Sequence, residues 1–513
     1  MRMSAPEFDL AVIGGGINGC GIARDAAGRG LKVLLCEAGD LGGSTSSASS
    51  KLIHGGLRYL EQREFRLVRE ALREREVLMR SAPHLIRQLR FVLPHSAKDA
   101  PRPAWMVRAG LLLYDLLAGR GSFARSKAVA LDAHHRDARL RGEFAKGFEY
   151  SDCAVDDARL VVTVAKDARR RGAEILTRAS CAGARRVNGH WEVQLQFASG
   201  GSETRTAKAL VNAAGPWVEK VAESLPSSAR NSHSVKLVQG SHIVVKKWFA
   251  GAHAYILQHA DRRVIFVLPF AHGLAIIGTT EREHHGDPRT ARITPDESAY
   301  LRAAVARYFH ISLAPEDVVS SFWGVRPLVD DGAESLREVT RDYVIRLDAP
   351  QGEAPLLNIY GGKLTTFRKL AESALARLSA YFPGMGAAWT ADAFLPGAPE
   401  KNTLEDTAAL LESRHAHLPA ETRARYLAAY GEDAADMLRG ARVRKDLGAH
   451  FGHGLYEIEV DYLREHEWAT CAEDILWRRG KLGLVFSREQ TAALERHLES
   501  RAQVNEGARM AAH

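Results

Sequence analysis

Three glycines and one acid near the N-terminus have the types and spacing of a phosphate-binding turn. Gly14, Gly16 and Gly19 follow the pattern G-x-G-x-x-G, and Glu37 ends the next apolar run. In such a turn the first glycine permits the tight bend and the second lets the backbone approach a pyrophosphate. The third lets the following helix pack closely on the strand, and the acid, roughly 20 residues on, hydrogen-bonds a ribose. The phosphates then meet the positive end of the helix. A plain glycine turn in an ordinary α/β unit would not account for an acid at the end of the second strand. Further along, Ser44, Thr45, Ser46 and Ser47 offer hydroxyls and backbone N–H groups to phosphates, and Lys51, His54 and Arg58 stand among glycines in the same loop. Arg326, Arg341 and Lys363 likewise stand in segments with glycines, prolines or turns, where a backbone can aim a cation into a cleft. Arginine suits a phosphate dianion because its planar fork binds two oxygens at once. Taken singly, each of these cations is as well explained by a surface ion pair. His54 titrates near neutral pH and could accept a proton, and Lys363 could do so if burial and neighbouring arginines depress its pKa. His242, after Gly240 and Ser241, is the weaker histidine candidate.

The elements that must position these residues are read from apolar periodicity. Residues 9–13 form a strand, 18–29 a helix and 33–36 a second strand. The serine loop, 42–60, is too long for a plain connection. Residues 62–80 carry a charged amphipathic helix pattern. Residues 105–117 (WMVRAGLLLYDLL) are the most apolar helix candidate and too short to span a bilayer, so they read as a core helix or an interfacial contact. Asp156 and Asp157 sit at a helix N-cap, with the helix running to 171–172. Strands follow at 173–176, 191–197 and 209–215, closing onto the first unit. From 235 to 280 short β-rich runs recur at 242–245, 254–257, 264–268 and 274–278, as in an antiparallel sheet inserted into the first domain. After the linker 395–400, residues 401–513 read as almost all helix.

Composition narrows the setting. The 513 residues, 46% hydrophobic, suffice for two or three cores. A net charge of +8 and a pI near 9.2 suit an anionic partner, whether nucleic acid, an acidic membrane surface or a phosphorylated substrate. The five cysteines form no C-x-x-C pair and two lie in apolar segments, so disulfides and zinc are not expected and no metal site is assigned. The first residues lack a signal-peptide core and no stretch offers about 20 consecutive apolar residues, which points to a cytoplasmic-side protein, soluble or peripheral.

With these pieces in place the chain resembles the aerobic, FAD-dependent glycerol-3-phosphate dehydrogenases, within the glycine/D-amino-acid oxidase-like flavoenzymes. The carriers are IGGGINGCGIARDAAGRG, TSSASSKLIHGGLRYLE, NAAGPW, the pair IIGTT and GVRPL, and YGGKLTTFRKLAE, in that family's order from about residue 9 to 370. Gly42-Gly43-Ser44 is more glycine-rich than in some relatives. The resemblance implies an α/β fold with three parts. A discontinuous FAD-binding Rossmann-like domain would take residues 1–95, 150–232 and 330–392. An antiparallel substrate domain would take 96–149 and 233–329, and a helical C-terminal domain 393–513. It implies noncovalent FAD, held by the glycine turn, Asn18, Glu37, Ser44 to Ser47, Ala214, Gly215, Gly362, Leu364 and Thr365. The implied reaction is oxidation of sn-glycerol 3-phosphate to dihydroxyacetone phosphate by hydride transfer from C2 to flavin N5, with electrons passed to a membrane quinone. Arg58, Tyr59, Arg326, Arg341 and Lys363 would bind substrate, and His54, Arg58, Arg326 and Lys363 would be catalytic. A peripheral position on the inner face of the cytoplasmic membrane follows from the quinone, and a homodimer is compatible with it. Three alternatives stand beside this reading: an oxygen-dependent oxidase of the same substrate, another amine or hydroxy-acid oxidase of the fold, and, more remotely, a basic nucleic-acid- or membrane-binding module with a structural flavin. No interleaved aromatic and basic stretch of the kind that stacks bases supports the last.

Overall fold

The computed structural model describes residues 6–511 apart from 99, 120, 132–135, 227–233, 260, 262 and 331–341. Strand Phe8–Ile13 (β1) lies at the centre of an eight-stranded sheet, parallel to Val33–Cys36 (β2) on one side and to Ser202–Asn212 on the other. Leu10 and Val12 are fully buried, as a central parallel strand covered on both faces requires. Between β1 and β2 runs helix Ile17–Gly28 (α1), rich in Gly and Ala and buried nearly all round. Its small residues let helices Asp157–Arg170 and Phe367–Leu378 approach closely; a Cβ at Gly21 would stand 2.8 Å from the Phe367 ring. Asp156 caps the first of these helices, its side chain accepting from the Arg159 N–H, as the sequence predicts.

The second sheet has ten strands, mostly antiparallel. Strand Val235–Lys246 pairs with Leu274–Gly278 and with Val318–Val329, and the order continues through Val264–Pro269 and Ala254–Gln258 to Ile86–His95, Lys146–Val155 and Leu52–Ile53. The last three strands were not expected. The sequence places residues 86–95 and 150–155 in the cofactor domain, whereas in the structure they lie in this sheet. Lys146–Val155 escapes a periodicity reading because it buries Ser151 and Asp152, whose charge is matched by the buried Arg75. Its edge partner Leu52–Ile53 delivers His54 to the junction of the two sheets.

The C-terminal region surrounds its own core, centred on Tyr426, Leu455, Val460 and Ile475. It is helical except for a small hairpin, His450–Gly452 with Leu455–Tyr456, which the helical expectation had not included. It docks on the first sheet's flank through buried ion pairs, Arg159 with Glu467 and Lys166 with Asp433 among them.

Candidate active site

One cavity of about 2200 Å³ runs between the two sheets and reaches the C-terminal domain. A drug-sized ligand takes roughly 300–1,000 Å³, so the space suits a dinucleotide with a second molecule beside it.

At one end stands the glycine turn, and its three glycines serve differently. Gly14 has φ +111° and a Cβ there would lie 2.5 Å from the Ala213 carbonyl oxygen. A Cβ at Gly19 would lie 1.9 Å from the Gly14 oxygen, so Gly19 sits beneath the turn. Gly16 is different. Its Cβ would meet only Ser46 Oγ, at 3.2 Å, and the position opens onto the cavity. The chain itself can therefore accommodate a side chain at Gly16, whereas a pyrophosphate lying there could not. Ser46 Oγ accepts from the Ile17 N–H (3.0 Å) at the start of α1. Thr45 Oγ1 donates to the Val325 carbonyl (2.6 Å) and Ser47 Oγ to the Ser44 carbonyl (3.1 Å), so three of the four hydroxyls are engaged within the protein. Glu37 Oε2 accepts from Gly15 N–H (2.6 Å) and Oε1 from Gly39 N–H (2.7 Å). Burial raises its pKa against those two donors. Each oxygen keeps a lone pair for a ribose hydroxyl. Asn18 Nδ2 donates to the Gly361 carbonyl (3.1 Å), while its Oδ1 is buried and makes no hydrogen bond. Gly362, φ +97°, leaves room for Asn18, since a Cβ would come 2.7 Å from Nδ2. Ala214, Gly215, Leu364 and Thr365 complete this side of the cavity. The turn that a side chain would fill, the orphaned Asn18 oxygen and the acid at Glu37 together fit FAD.

The other end is lined by cations. Arg326, on Val318–Val329, donates from Nη2 to Thr279 Oγ1 (3.1 Å) across from Gly240, where a Cβ would come within 2.5 Å of the guanidinium. Arg58 faces Glu281 at 3.5 Å. The Lys363 ammonium lies 3.9 Å from the centre of the Tyr59 ring. His54 lines the same space, and its backbone N–H donates to Thr365 Oγ1 at 3.3 Å. Behind it the Gly55 N–H donates to Tyr114 Oη (2.9 Å), which donates to Asp152. Burial lowers the His54 pKa, Asp152 opposes that, and Lys363, Arg58 and Arg75 add to it, so the imidazole stands neutral at physiological pH. Arg341 lies outside the described residues.

His242, the weaker candidate by sequence, has a built environment. It is 1% exposed, stacks on Phe322 with ring centres 4.5 Å apart, and contacts Ser50 Oγ through Nε2 at 2.9 Å. Gly278 makes room for it, since a Cβ there would come 2.1 Å from the ring. Burial, then Arg326 and Lys51, hold its pKa well below the usual value. The imidazole does not itself line the cavity; Ser50 and Phe322 do. Glu281 was missed by sequence reasoning. It directly follows the IIGTT motif, and its partner Arg58 is 223 residues away, so spacing carried no signal.

The sequence matches the family model described as FAD dependent oxidoreductase over residues 9–368 and that of the C-terminal domain of alpha-glycerophosphate oxidase over 388–504. It is 51% identical to a glycerol-3-phosphate dehydrogenase of Pseudomonas aeruginosa, over 97% of this chain and 96% of that protein. It is 50% identical to a D-erythritol 1-phosphate dehydrogenase of Brucella abortus, over 96% of this chain and 98% of that one. Among solved structures, the glycerol-3-phosphate dehydrogenase of Bacillus halodurans complexed with FAD superposes with a TM-score of 0.74 at 26% identity, covering 97% of this chain and 95% of that one.

Proposed function

The chain belongs to the FAD-dependent glycerol-3-phosphate dehydrogenase family, and from that membership we propose that it oxidises sn-glycerol 3-phosphate at C2 to dihydroxyacetone phosphate. The observation that carries this reading is the convergence of Arg58, Arg326 and Lys363, from three separate stretches, on the cavity that holds the glycine turn. Bound FAD supplies the acceptor for two electrons. The residues of the chain do the remainder. Arg58 and Arg326 hold the phosphate by charge-assisted hydrogen bonds. Lys363, resting over Tyr59, adds a third positive charge to the same anion. His54, neutral and facing the cavity, takes the proton of the C2 hydroxyl. His242, bonded to Ser50 and stacked on Phe322, keeps both in place. Ile256, Phe266 and Phe322 line the cavity and keep water from the reacting carbon.

A longer polyol phosphate presents the same anion, and the Brucella abortus relative's name keeps that substrate as a second reading. Anaerobic addition of each phosphate to the purified protein decides between them. Glycerol 3-phosphate is expected to bleach the flavin bands at the lower concentration. Bleaching by D-erythritol 1-phosphate alone would replace the first reading with the second, and no bleaching by either would remove both.

Electrons are proposed to leave to a membrane quinone, with the protein peripheral on the inner face of the cytoplasmic membrane. Among the described residues no helix is long and apolar enough to cross a membrane. Helix Ala104–Ala118 supports surface contact. It buries Val107, Leu111 and Tyr114, yet leaves Trp105 70% and Leu116 76% exposed, with Met106 and Leu112 also outward. Ala109, Gly110 and Leu113 line the cavity, so this one helix has a face toward the site and a face toward solvent, with Met106 at the edge between them. The flanking cations contribute less than their number suggests. Arg102 pairs with Glu61, Arg108 donates to Ser126, Arg120 lies outside the described residues, and Arg125 is exposed.

A further inference from the structure

We infer that the C-terminal helical domain is part of the cofactor site, holding Arg178 and the loop after Glu37 against the adenosine half of the dinucleotide through Asp474, Arg478 and Arg479. This rests on the FAD reading above. Glu37 marks the ribose of that half, and the wall beyond it is built from three stretches far apart in sequence. Asp40, Arg178, Cys471, Glu473, Trp477 and Arg478 all line the cavity there.

The first two stretches are joined by backbone. The Arg178 N–H donates to the Gly39 carbonyl (2.8 Å) and the Ala179 N–H to the Glu37 carbonyl (2.8 Å). Arg178 has φ +54°, a conformation uncommon for a residue with a side chain, and its guanidinium is held from the third stretch. Its Nη2 donates to Asp474 Oδ2 at 2.7 Å. Its Nη1 is buried and makes no hydrogen bond within the protein, so the wall presents a donor for which the chain supplies no acceptor. The phosphates, ribose and adenine of the dinucleotide carry such acceptors.

Asp474 is itself secured. It accepts from the Thr470 N–H (2.8 Å) and from Arg478 Nη2 (2.6 Å), and it is fully buried. Arg478 also donates from Nε to Asp40 at 2.5 Å, and Arg479 grips the same carboxylate through both Nη atoms, Nη2 at 2.8 Å. Arg479, 1% exposed, is anchored in turn by Nε donating to the Glu467 carbonyl (3.1 Å). A buried charge network of this kind is rigid when complete and costly when one member is removed. Its two ends are the cofactor loop and the C-terminal core, so the domain and the cofactor cannot be ordered independently.

The test uses the full chain stripped of flavin and titrated with FAD, following flavin fluorescence well below the melting temperature. Wild type, Arg178→Met and Asp474→Asn are compared. Each substitution is expected to raise the FAD dissociation constant on the order of ten-fold or more. The double variant is expected to be little worse than either single one, because Asp474 acts through Arg178. FMN, which lacks the adenosine, is expected to bind all of them alike. A merely structural contact would lower the apoprotein Tm and leave the FAD constant unchanged, and that result would overturn the inference, as would equal losses for FMN and FAD. If Asp474→Asn does not fold, Arg178→Met, whose side chain is partly exposed, decides by the same criterion. Wild-type apoprotein that takes up no FAD would instead overturn the FAD reading itself, and this inference with it.

Discussion

At the nucleotide end of the cavity the proposed pyrophosphate contact is backbone, delivered by Gly14, Gly16 and Gly19 in one short turn, whereas at the proposed substrate end the cations are side chains carried in from Arg58, Arg326 and Lys363. The first end needs close approach to a large, flat-sided ligand, and small residues at set intervals provide it. The second needs charge aimed at one small dianion, and charge can come from any strand that faces the space. It follows that the two ends can be damaged separately. One fails by filling, the other by neutralising.

The largest separation is expected within the glycine turn itself. Gly19→Val would drive a side chain into the Gly14 carbonyl, and soluble folded protein is not expected. Gly16→Val should fold, because its Cβ meets only Ser46 Oγ, yet purify colourless. Normal flavin content in Gly16→Val, read from the visible spectrum, would break the assignment of this end. Arg326→Ala tests the other end. It should keep the flavin spectrum and lose glycerol 3-phosphate kcat/KM by ten- to hundred-fold, corresponding to a lost charged hydrogen bond of about 1.5–3 kcal/mol. Unchanged kinetics would move the phosphate site elsewhere.

A smaller effect is expected from pH. Burial lowers the folded-state pKa of His54 below its ordinary 6.5. On falling pH the unfolded chain therefore takes up a proton first. The stability that the neutral imidazole contributes is complete above the unfolded pKa and is lost as pH falls from there toward the folded value, at ~1.4 kcal/mol per pH unit. Urea midpoints at pH 7.5 and 5.5 should differ less in His54→Asn than in wild type, and the acid limb of wild-type kcat/KM should lie below pH 6.5. An acid limb unchanged in a still-active His54→Asn would exclude His54 as the base. The smallest effect concerns the exposed helix face. Trp105→Ser with Leu116→Ser should weaken flotation with anionic liposomes, while Arg125→Gln alone should cost only about 1 kcal/mol, and less at high salt. Equal flotation by the serine variant and the native chain would place membrane contact on another surface.

How much of this was legible in the sequence follows the same division. The turn, α1 and Glu37 are local, and their spacing alone gives the nucleotide end. The antiparallel runs of the second sheet are legible where Val, Ile and Leu alternate. They vanish in Lys146–Val155, where Asp152 is buried only because Arg75, 77 residues distant, neutralises it. The cations at the substrate end were found through motifs, since no local rule relates Arg58 to Arg326. Glu281 and the ring environment of His242 depend on strand register, Gly278 standing opposite His242 and Phe322 beside it, and pairing of that kind is invisible in one strand read alone. The helix at 104–118 was read as either core or interface because apolar residues occur all round it. Its inner face packs on the protein and its outer face does not.

Thr45 belongs to the serine loop of the nucleotide end, yet its hydroxyl is tied to the carbonyl of Val325, the residue before Arg326. The two ends therefore share one strand, and selection acting on either is felt by the other. Substitutions at Thr45 and Arg326 are expected to be epistatic, so their effects should not add. A laboratory lineage that remodels the phosphate site for a longer substrate will be pushed to accumulate compensating changes in the serine loop, far from any atom of that substrate.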